Sequence, residues 1–276
     1  GTYKKRKYRV QYGESDFAFL SRMLEDAGIS YYFQETEGES QLVLSDAPQK
    51  NEPRVAPLPF RDSATDLPAG HVTGIQVKQQ VRPGKYTLRD HDYRLSPSYP
   101  LAKSSEAASV PAEEKLERFH YTPGAFLFGS DKGEETPNAD DKGKARTDEK
   151  EAESIAKKRL DAKRSTAKVV HFDTSAHDLM PGDVVRFADH PRGDLATAST
   201  WLVVGSLFSG TQDGDWNHHC EVRSAALEFR PPLATPKPKV VGVESATVVG
   251  PAGEEIHTDE FGRIRVHFHW DRESKM

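Results

Sequence analysis

Cysteine is nearly missing from this sequence: Cys220 is the single one in 276 residues. That excludes an intramolecular disulfide and suits assembly in a reducing cytoplasm. Long apolar runs are missing too. None approaches the ~20 residues that a membrane-spanning helix needs, so stable membrane insertion is not expected. No signal peptide is visible, although an internal start would hide one, and Gly1 reads as an expression remnant or an internal boundary. There is no large excess of either charge. Lys and Arg number 38 against 43 Asp and Glu, a net charge of −5, which argues against nonspecific nucleic-acid binding. Catalytic fingerprints are also absent: no G-x-S-x-G, no H-E-x-x-H, no P-loop and no G-x-G-x-x-G. Apolar residues make up 36% of the chain and mean hydropathy is −0.71. Such polarity fits a β-rich architecture with long polar connections, or a chain whose surfaces meet other copies.

The most patterned stretch is the C-terminal VVGPAGEEIHTDEFGRIRVHFHWDR, residues 248–272. A β-branched segment, 240–249, ends at Gly250-Pro251-Ala252-Gly253, a strong turn signal. The short segment 254–258 follows, then the turn-like Asp259-Glu260-Phe261-Gly262. Strict alternation comes next. Ile264, Val266, Phe268 and Trp270 share one strand face, expected to be buried; Arg263, Arg265, His267 and His269 share the other, expected to meet solvent or a partner. This reads as the opening of a small antiparallel barrel. About 40 residues are too few to close five strands, so the chain reads as truncated.

Earlier in the chain, residues 8–12 read as a strand and 14–27 as a helix, with Ser15 as N-cap, Gly28 as stop, and Phe17, Leu20, Leu24 and Ala27 at helical spacing. Residues 29–34 and 41–44 pair as strands across Glu37-Gly38. A proline-rich connection covers 47–70. Residues 72–81 and 85–95 are expected to form a hairpin about Arg82-Pro83-Gly84, 97–111 a loop and 116–121 a short strand. Residues 129–150 read as a mobile loop, followed by a helix at 149–163 with Ala152, Ile155, Ala156 and Leu160 on one stripe. Strands are expected at 169–174, 184–188, 200–209 and 217–228, and a linker with four prolines at 230–238.

Few side chains point to chemistry. Asp90-His91-Asp92 is metal-ligand material, but strand neighbours face opposite ways, so only Asp90 and Asp92 converge; a solvent-facing or interface role is the simpler reading. His218 and Cys220 share a face without a CxxC or HxxxH partner, which reads as a packed thiol beside a hydrogen-bonded imidazole. His267 and His269 read as a polar exterior or interface. Ser15 is better explained as a helix cap than as a nucleophile. A small barrel with a basic strand also fits single-stranded nucleic-acid binding, but Phe268 and Trp270 face away from the arginines.

Several segments, in order, resemble one family, the VgrG spike proteins of bacterial type VI secretion. They are YRVQYGESDFAFLSRMLEDAGISYYF (8–33), LVLSD (42–46), RDHDY (89–93, where the family usually has an aromatic at His91), RFHYTPG (118–124), LMPGDVVRF (179–187) and, most specifically, residues 229–272. The residues that carry the last match, as structural or interface positions, are Gly250, Pro251, Glu254, Asp259, Phe261, Gly262, Arg263, His267, Phe268, His269, Trp270, Asp271 and Arg272. The resemblance implies a mainly β fold with minor α: antiparallel phage-hub-like β-barrel domains, a helix-containing α+β insert over 1–60, a hub barrel region over 61–235, and the start of an oligonucleotide/oligosaccharide-binding (OB) type barrel over 236–276. It further implies a non-enzymatic structural part without cofactor or metal, trimeric in the parent protein. Its partners would be the hexameric Hcp tube, a PAAR-repeat tip protein reached through a missing C-terminal part, and secreted effectors, but not nucleic acid. Such a part is assembled in the cytoplasm and then secreted. A baseplate hub of a contractile phage or phage-derived particle is the neighbouring alternative; a nucleic-acid-binding OB-type barrel, or an enzyme using Asp90, Asp92 or the histidines, belongs to other classes.

Overall fold

Helix α1 (Asp16–Ala27) forms where its caps dictate. The Ser15 hydroxyl accepts from the Ala18 amide at 3.2 Å, and Gly28 closes the helix at φ 75°. A computed structural model describes the chain except residues 1, 5, 7, 8, 63–69, 94, 100, 108–110, 127–147, 197, 215, 260 and 273–276. Of the strand expected at 8–12, Tyr8 lies outside the described residues, and 9–12 carry no strand. The loop expected at 129–150 also lies outside them up to residue 147. Strands β1 (Ser30–Thr36) and β2 (Glu39–Ser45) form the expected hairpin, and Glu37 and Gly38, at φ 53° and 84°, give its tight turn.

The expected hairpin of 72–81 with 85–95 does not exist. Strand β4 (Val72–Gln79) pairs with β8 (Lys168–Thr174), whereas β5 (Lys85–Arg89) starts a different sheet. Arg82-Pro83-Gly84 therefore carries the chain between sheets. The Gly84 amide faces the Glu113 and Leu116 carbonyls at 3.0 and 3.1 Å, which occupies the backbone that a hairpin turn would use.

The larger sheet runs β4-β8-β12-β11-β9, with β12 at Asn217–Ser224, β11 at Trp201–Ser209 and β9 at Val184–Val185. All its neighbours are antiparallel, and it forms a curled half-barrel. Alternation sets its faces: Val170 and Phe172 of β8 are fully buried, while His171 and Asp173 are half-exposed. Phe172 meets Phe187 edge-on at 5.2 Å, and Val185, Trp201, Val203, Cys220 and Val222 complete this core. The stretch expected as one strand at 184–188 divides into β9 and β10 (Phe187–Ala188), and β10 pairs in parallel with β3 (Leu58–Pro59).

A second, mixed sheet runs β6-β5-β7, with β6 (Ala102–Glu106) antiparallel and β7 (Glu117–Tyr121) parallel to β5. Strand β6 falls where a loop was expected. Its Ala-Lys-Ser-Ser-Glu has little strand propensity, and the open edge of β5 supplies the pairing. Helix α3 (Glu149–Arg164) covers this sheet. Asp148 caps it by accepting from Lys150 and Glu151 amides at 3.1 and 3.0 Å. Its predicted stripe, Ala152, Ile155, Ala156 and Leu160, is buried against Tyr86, Leu88, Leu101 and Phe126. Just before β7, the short helix α2 (Pro111–Glu114) brings Glu113 to 2.8 Å from Arg164, both side chains nearly fully buried. Last, β13 (Ala246–Val249) and β14 (Arg265–Phe268) form an antiparallel hairpin.

Candidate functional site: the C-terminal hairpin and its seat

The C-terminal motif is built around Asp259. Its carboxylate accepts from the Phe261 and Arg263 amides, each at 2.9 Å, and from the Arg263 guanidinium. The Gly262 amide donates to the Asp259 carbonyl at 3.0 Å, with Gly262 at φ 72°. Arg263 then donates to the Tyr93 hydroxyl at 2.9 Å, and the Tyr93 and Phe261 rings meet edge-on at 5.8 Å. The RDHDY and DEFGR motifs, far apart in sequence, are thus in contact. At the other end of the hairpin, Glu244 accepts from Trp270 Nε1 at 2.6 Å and from the Tyr12 hydroxyl, and the Trp270 ring stacks on Phe268 at 5.1 Å. In the first turn, a Cβ at Gly250 would sit 3.0 Å from His257, and the Glu254 amide donates to the Pro251 carbonyl at 3.3 Å. His257 reaches the Glu254 carboxylate at 2.8 Å. The Asp271 amide donates to the Phe268 carbonyl at 3.0 Å, while His269 and Arg272 are exposed.

One expectation fails here. Ile264, Val266 and Trp270 are exposed and Phe268 is only half-buried, so the apolar face of β14 is uncovered. The reason is layering: β14 pairs with β13, and two strands alone cannot bury a face. On the opposite face, Arg263 and His267 are half-buried and Arg265 and His269 exposed.

The other candidates are structural. Asp90 and Asp92 are buried, where a solvent-facing or interface role was expected, because β5 ends at Arg89 and both side chains pack inward. The Asp90 carboxylate accepts from the Gly124, Phe126 and His91 amides at 2.8, 3.0 and 2.7 Å. It therefore pins the Thr-Pro-Gly end of β7 to the end of β5. His218 is fully buried; Nδ1 lies 2.6 Å from the Ala176 carbonyl, and Nε2 faces Ser206 Oγ at 2.7 Å and Cys220 Sγ at 3.3 Å. A carbonyl only accepts, so Nδ1 carries a proton. Burial pushes the Cys220 thiol up to about 12, which leaves it a packed, unreactive group. Among the described residues, no group of three or more His, Cys, Asp or Glu side chains is arranged to hold a metal ion.

Sequence reasoning missed the seat itself. Glu25 on α1 accepts from the Ala234 and Thr235 amides, each at 2.9 Å, and from the Thr235 hydroxyl at 2.8 Å. Arg230 donates to the Gly28 carbonyl at 3.1 Å. The proline-rich 230–238 segment is a docked strap. Arg159 on α3 caps the other side of α1, donating to the Glu25 and Asp26 carbonyls and to the Asp26 carboxylate. No motif marks Glu25 or Arg159; both read as ordinary charges on an amphipathic helix. An uncovered apolar face also went unnoticed. Tyr31, Phe33, Leu42 and Leu44 pair across β1 and β2 on one face, Phe17 of α1 adds to it, and all five are exposed. Apolar residues at 31, 33, 42 and 44 are the period-two signal that could have found it.

A buried sheet core, a polar strap and two uncovered apolar strand faces define an assembly module of mainly β structure, of the kind found in phage-tail hubs. The chain belongs to the phage tail baseplate hub (GPD) family, whose model matches residues 1–214. It is similar to two type VI secretion system spike proteins of Pseudomonas aeruginosa. VgrG1b is 30% identical over 98% of this chain and 35% of that protein; VgrG1a is 30% identical over 98% of this chain and 40% of that protein. The chain therefore spans little more than a third of the length of these relatives. Among solved structures it resembles the Escherichia coli c3393 protein, described as a type VI secretion component with structural similarity to the T4 tail proteins gp27 and gp5. The TM-score is 0.54 and the identity 16%, over 95% of this chain and 51% of that one.

Proposed function

We propose that this chain is the hub part of a type VI secretion spike: threefold in the parent protein, seated on the end of an Hcp tube, and delivered with the spike into a target cell. The observation that carries the reading is the alignment of 98% of the chain, at 30% identity, with a spike protein. The geometry supports it. An apolar strand face at β1–β2 lies uncovered on an otherwise polar chain, as surfaces that meet other subunits do. Asp90 serves the backbone and His218 the core, which fits a part that works by shape and not by turnover. In this reading residues 1–60 are the insert, 61–235 the hub barrels and 236–276 the opening of the OB-type barrel. The motif residues from Gly250 to Arg272 position that barrel, a tip protein and secreted effectors are the further partners, and assembly precedes secretion in the cytoplasm. A baseplate hub of a phage or phage-derived particle is the second reading, favoured by the family match itself.

The test is absolute mass by light scattering across a concentration series. A particle near three times 30.8 kDa, 92.4 kDa, is expected once subunit faces meet. A 30.8 kDa monomer at every concentration, in this chain and in a C-terminally extended one, would sink the threefold reading.

A further inference from the structure

Strand β1 has a partner on one side only. The two-residue turn at Glu37 and Gly38 makes Thr36 and Glu39 a hydrogen-bonded pair, so Gln34, Tyr32 and Ser30 bond β2 through their backbones. The amides and carbonyls of Tyr31, Phe33 and Glu35 therefore point the other way. Among the described residues, no strand and no backbone hydrogen bond meets them there. Two recesses, of about 340 and 660 Å³, follow this edge from end to end. Ser30, Tyr31 and Tyr32 line the first, against Leu24 of α1, Val204 of β11 and Pro231 of the strap. Phe33, Gln34, Glu35 and Thr36 line the second, against Met180 and Asp183. Successive residues of β1, and none of β2, thus border the space. The face of a strand presents every second residue, so the recesses run along the edge of β1 and not over its face.

This edge is held in place. Tyr32 is buried, its hydroxyl accepts from Asn51 Nδ2 at 2.8 Å, and its ring packs so closely on Gly182 that a Cβ there would lie 2.5 Å away. An arriving strand would therefore have little to order. The two recesses differ in character. The first is mostly apolar. The second carries Glu35, Asp178 and Asp183, and no lysine or arginine lines it. Asp178 is paired with Arg54, whereas Glu35 and Asp183 have no ion-pair partner among the described residues. Burial, above all, raises the proton affinity of Asp183, a cost to its charged form that a cation beside it would offset.

We propose that the free edge of β1 takes an extended peptide segment of a partner protein as an added strand, with an apolar side chain in the first recess and a lysine or arginine in the second. Main-chain bonds to Tyr31, Phe33 and Glu35 supply the affinity, and the two recesses supply the choice of sequence. Charge complementarity sets the occupant: an acidic recess without a cation of its own selects a basic segment. The added strand also covers an edge that would otherwise template unspecific pairing. The site is the edge of the hairpin, not its apolar face, and it is independent of the hub reading.

Fluorescence anisotropy of a labelled, end-blocked peptide, Thr-Lys-Val-Lys-Val-Leu-Thr, titrated with the whole chain reads this directly. A saturable rise is expected. The same peptide with glutamate for both lysines should bind about tenfold more weakly or worse. Two further versions carry N-methyl groups on one or the other set of alternate residues. One of them should lose about tenfold in affinity, because an added strand bonds β1 through one set only. Glu35→Lys should weaken the lysine peptide about tenfold and Glu35→Gln about threefold, while Lys115→Gln, on the other sheet, should leave it unchanged. No saturable rise, equal binding of the lysine and glutamate peptides, or full binding of both methylated versions overturns the proposal. Self-association of the chain in light scattering that the lysine peptide disperses would give the edge to a second copy, which overturns it as well.

Discussion

Strands β8 and β14 carry the same kind of alternation and end in opposite environments. In β8, Val170 and Phe172 point inward and are fully buried, because β4 and β12 flank the strand and Phe172 meets Phe187 within a core that also holds Leu58 and Trp201. In β14, Val266 and Phe268 also share a face, yet only β13 flanks the strand and the face is open. Period-two patterning reports which side chains share a side of a strand. Whether that side is covered depends on a second layer, and a layer is a property of the assembly of elements. The open face of β14 is thus a matter of layering, and alternation alone does not report it.

The largest contrast should come from truncating one side chain on each strand. Phe172→Ala should cost about 3–5 kcal/mol in urea unfolding, since it removes a fully buried ring from a packed core. Val266→Ala should change the same transition by no more than about 0.5 kcal/mol. Similar losses for the two would mean that the β14 face is covered in solution, which would sharpen the comparison by placing a partner on it.

Next in size are the two carboxylates that hold backbone. Asp90→Ala would leave the Gly124, Phe126 and His91 amides without their acceptor, at a cost of about 1–3 kcal/mol. Glu25→Gln keeps the shape but weakens the grip on the strap. Hydrogen exchange at Ala234 and Thr235 should accelerate roughly tenfold, with little change in the core strands. Unchanged exchange there would mean that Arg230 and the prolines hold the strap without Glu25.

Helix α3 and its buried stripe, α1 with both caps, the β1–β2 hairpin and most strands of the larger sheet were legible in the sequence. In each, local chemistry and tertiary packing agree. The false hairpin at Arg82-Pro83-Gly84 shows the limit: a Pro-Gly turn is equally good at reversing a chain and at sending it to another sheet, and the choice rests with residues 30 positions away such as Glu113. Strand β6 escaped because its residues do not favour strands and only the edge of β5 makes one. Asp90 was legible as a notable residue but not in its environment, since the end of β5 turns on a backbone path that alternation cannot encode. The contact of Tyr93 with Arg263 spans 170 residues and leaves no local signal.

The smallest effect concerns Cys220, where the core of the larger sheet meets the polar pair of Ser206 and His218. Burial raises this thiol from 9.0 to about 12, so the folded protein holds the thiol proton over a range in which the unfolded chain releases it. The stability that Cys220 contributes is therefore fully present below pH 9 and is lost as pH rises toward 12. Denaturation midpoints for the native chain should fall more steeply across that window than those of Cys220→Ser, and the two should run parallel below it. A thiol reagent at pH 8 should label the native protein no faster than the core opens, so that urea, and not base, controls the rate. Rapid labelling without denaturant would place Cys220 at an accessible surface, and would break the contrast between a sealed β8–β12 core and an open β14 face.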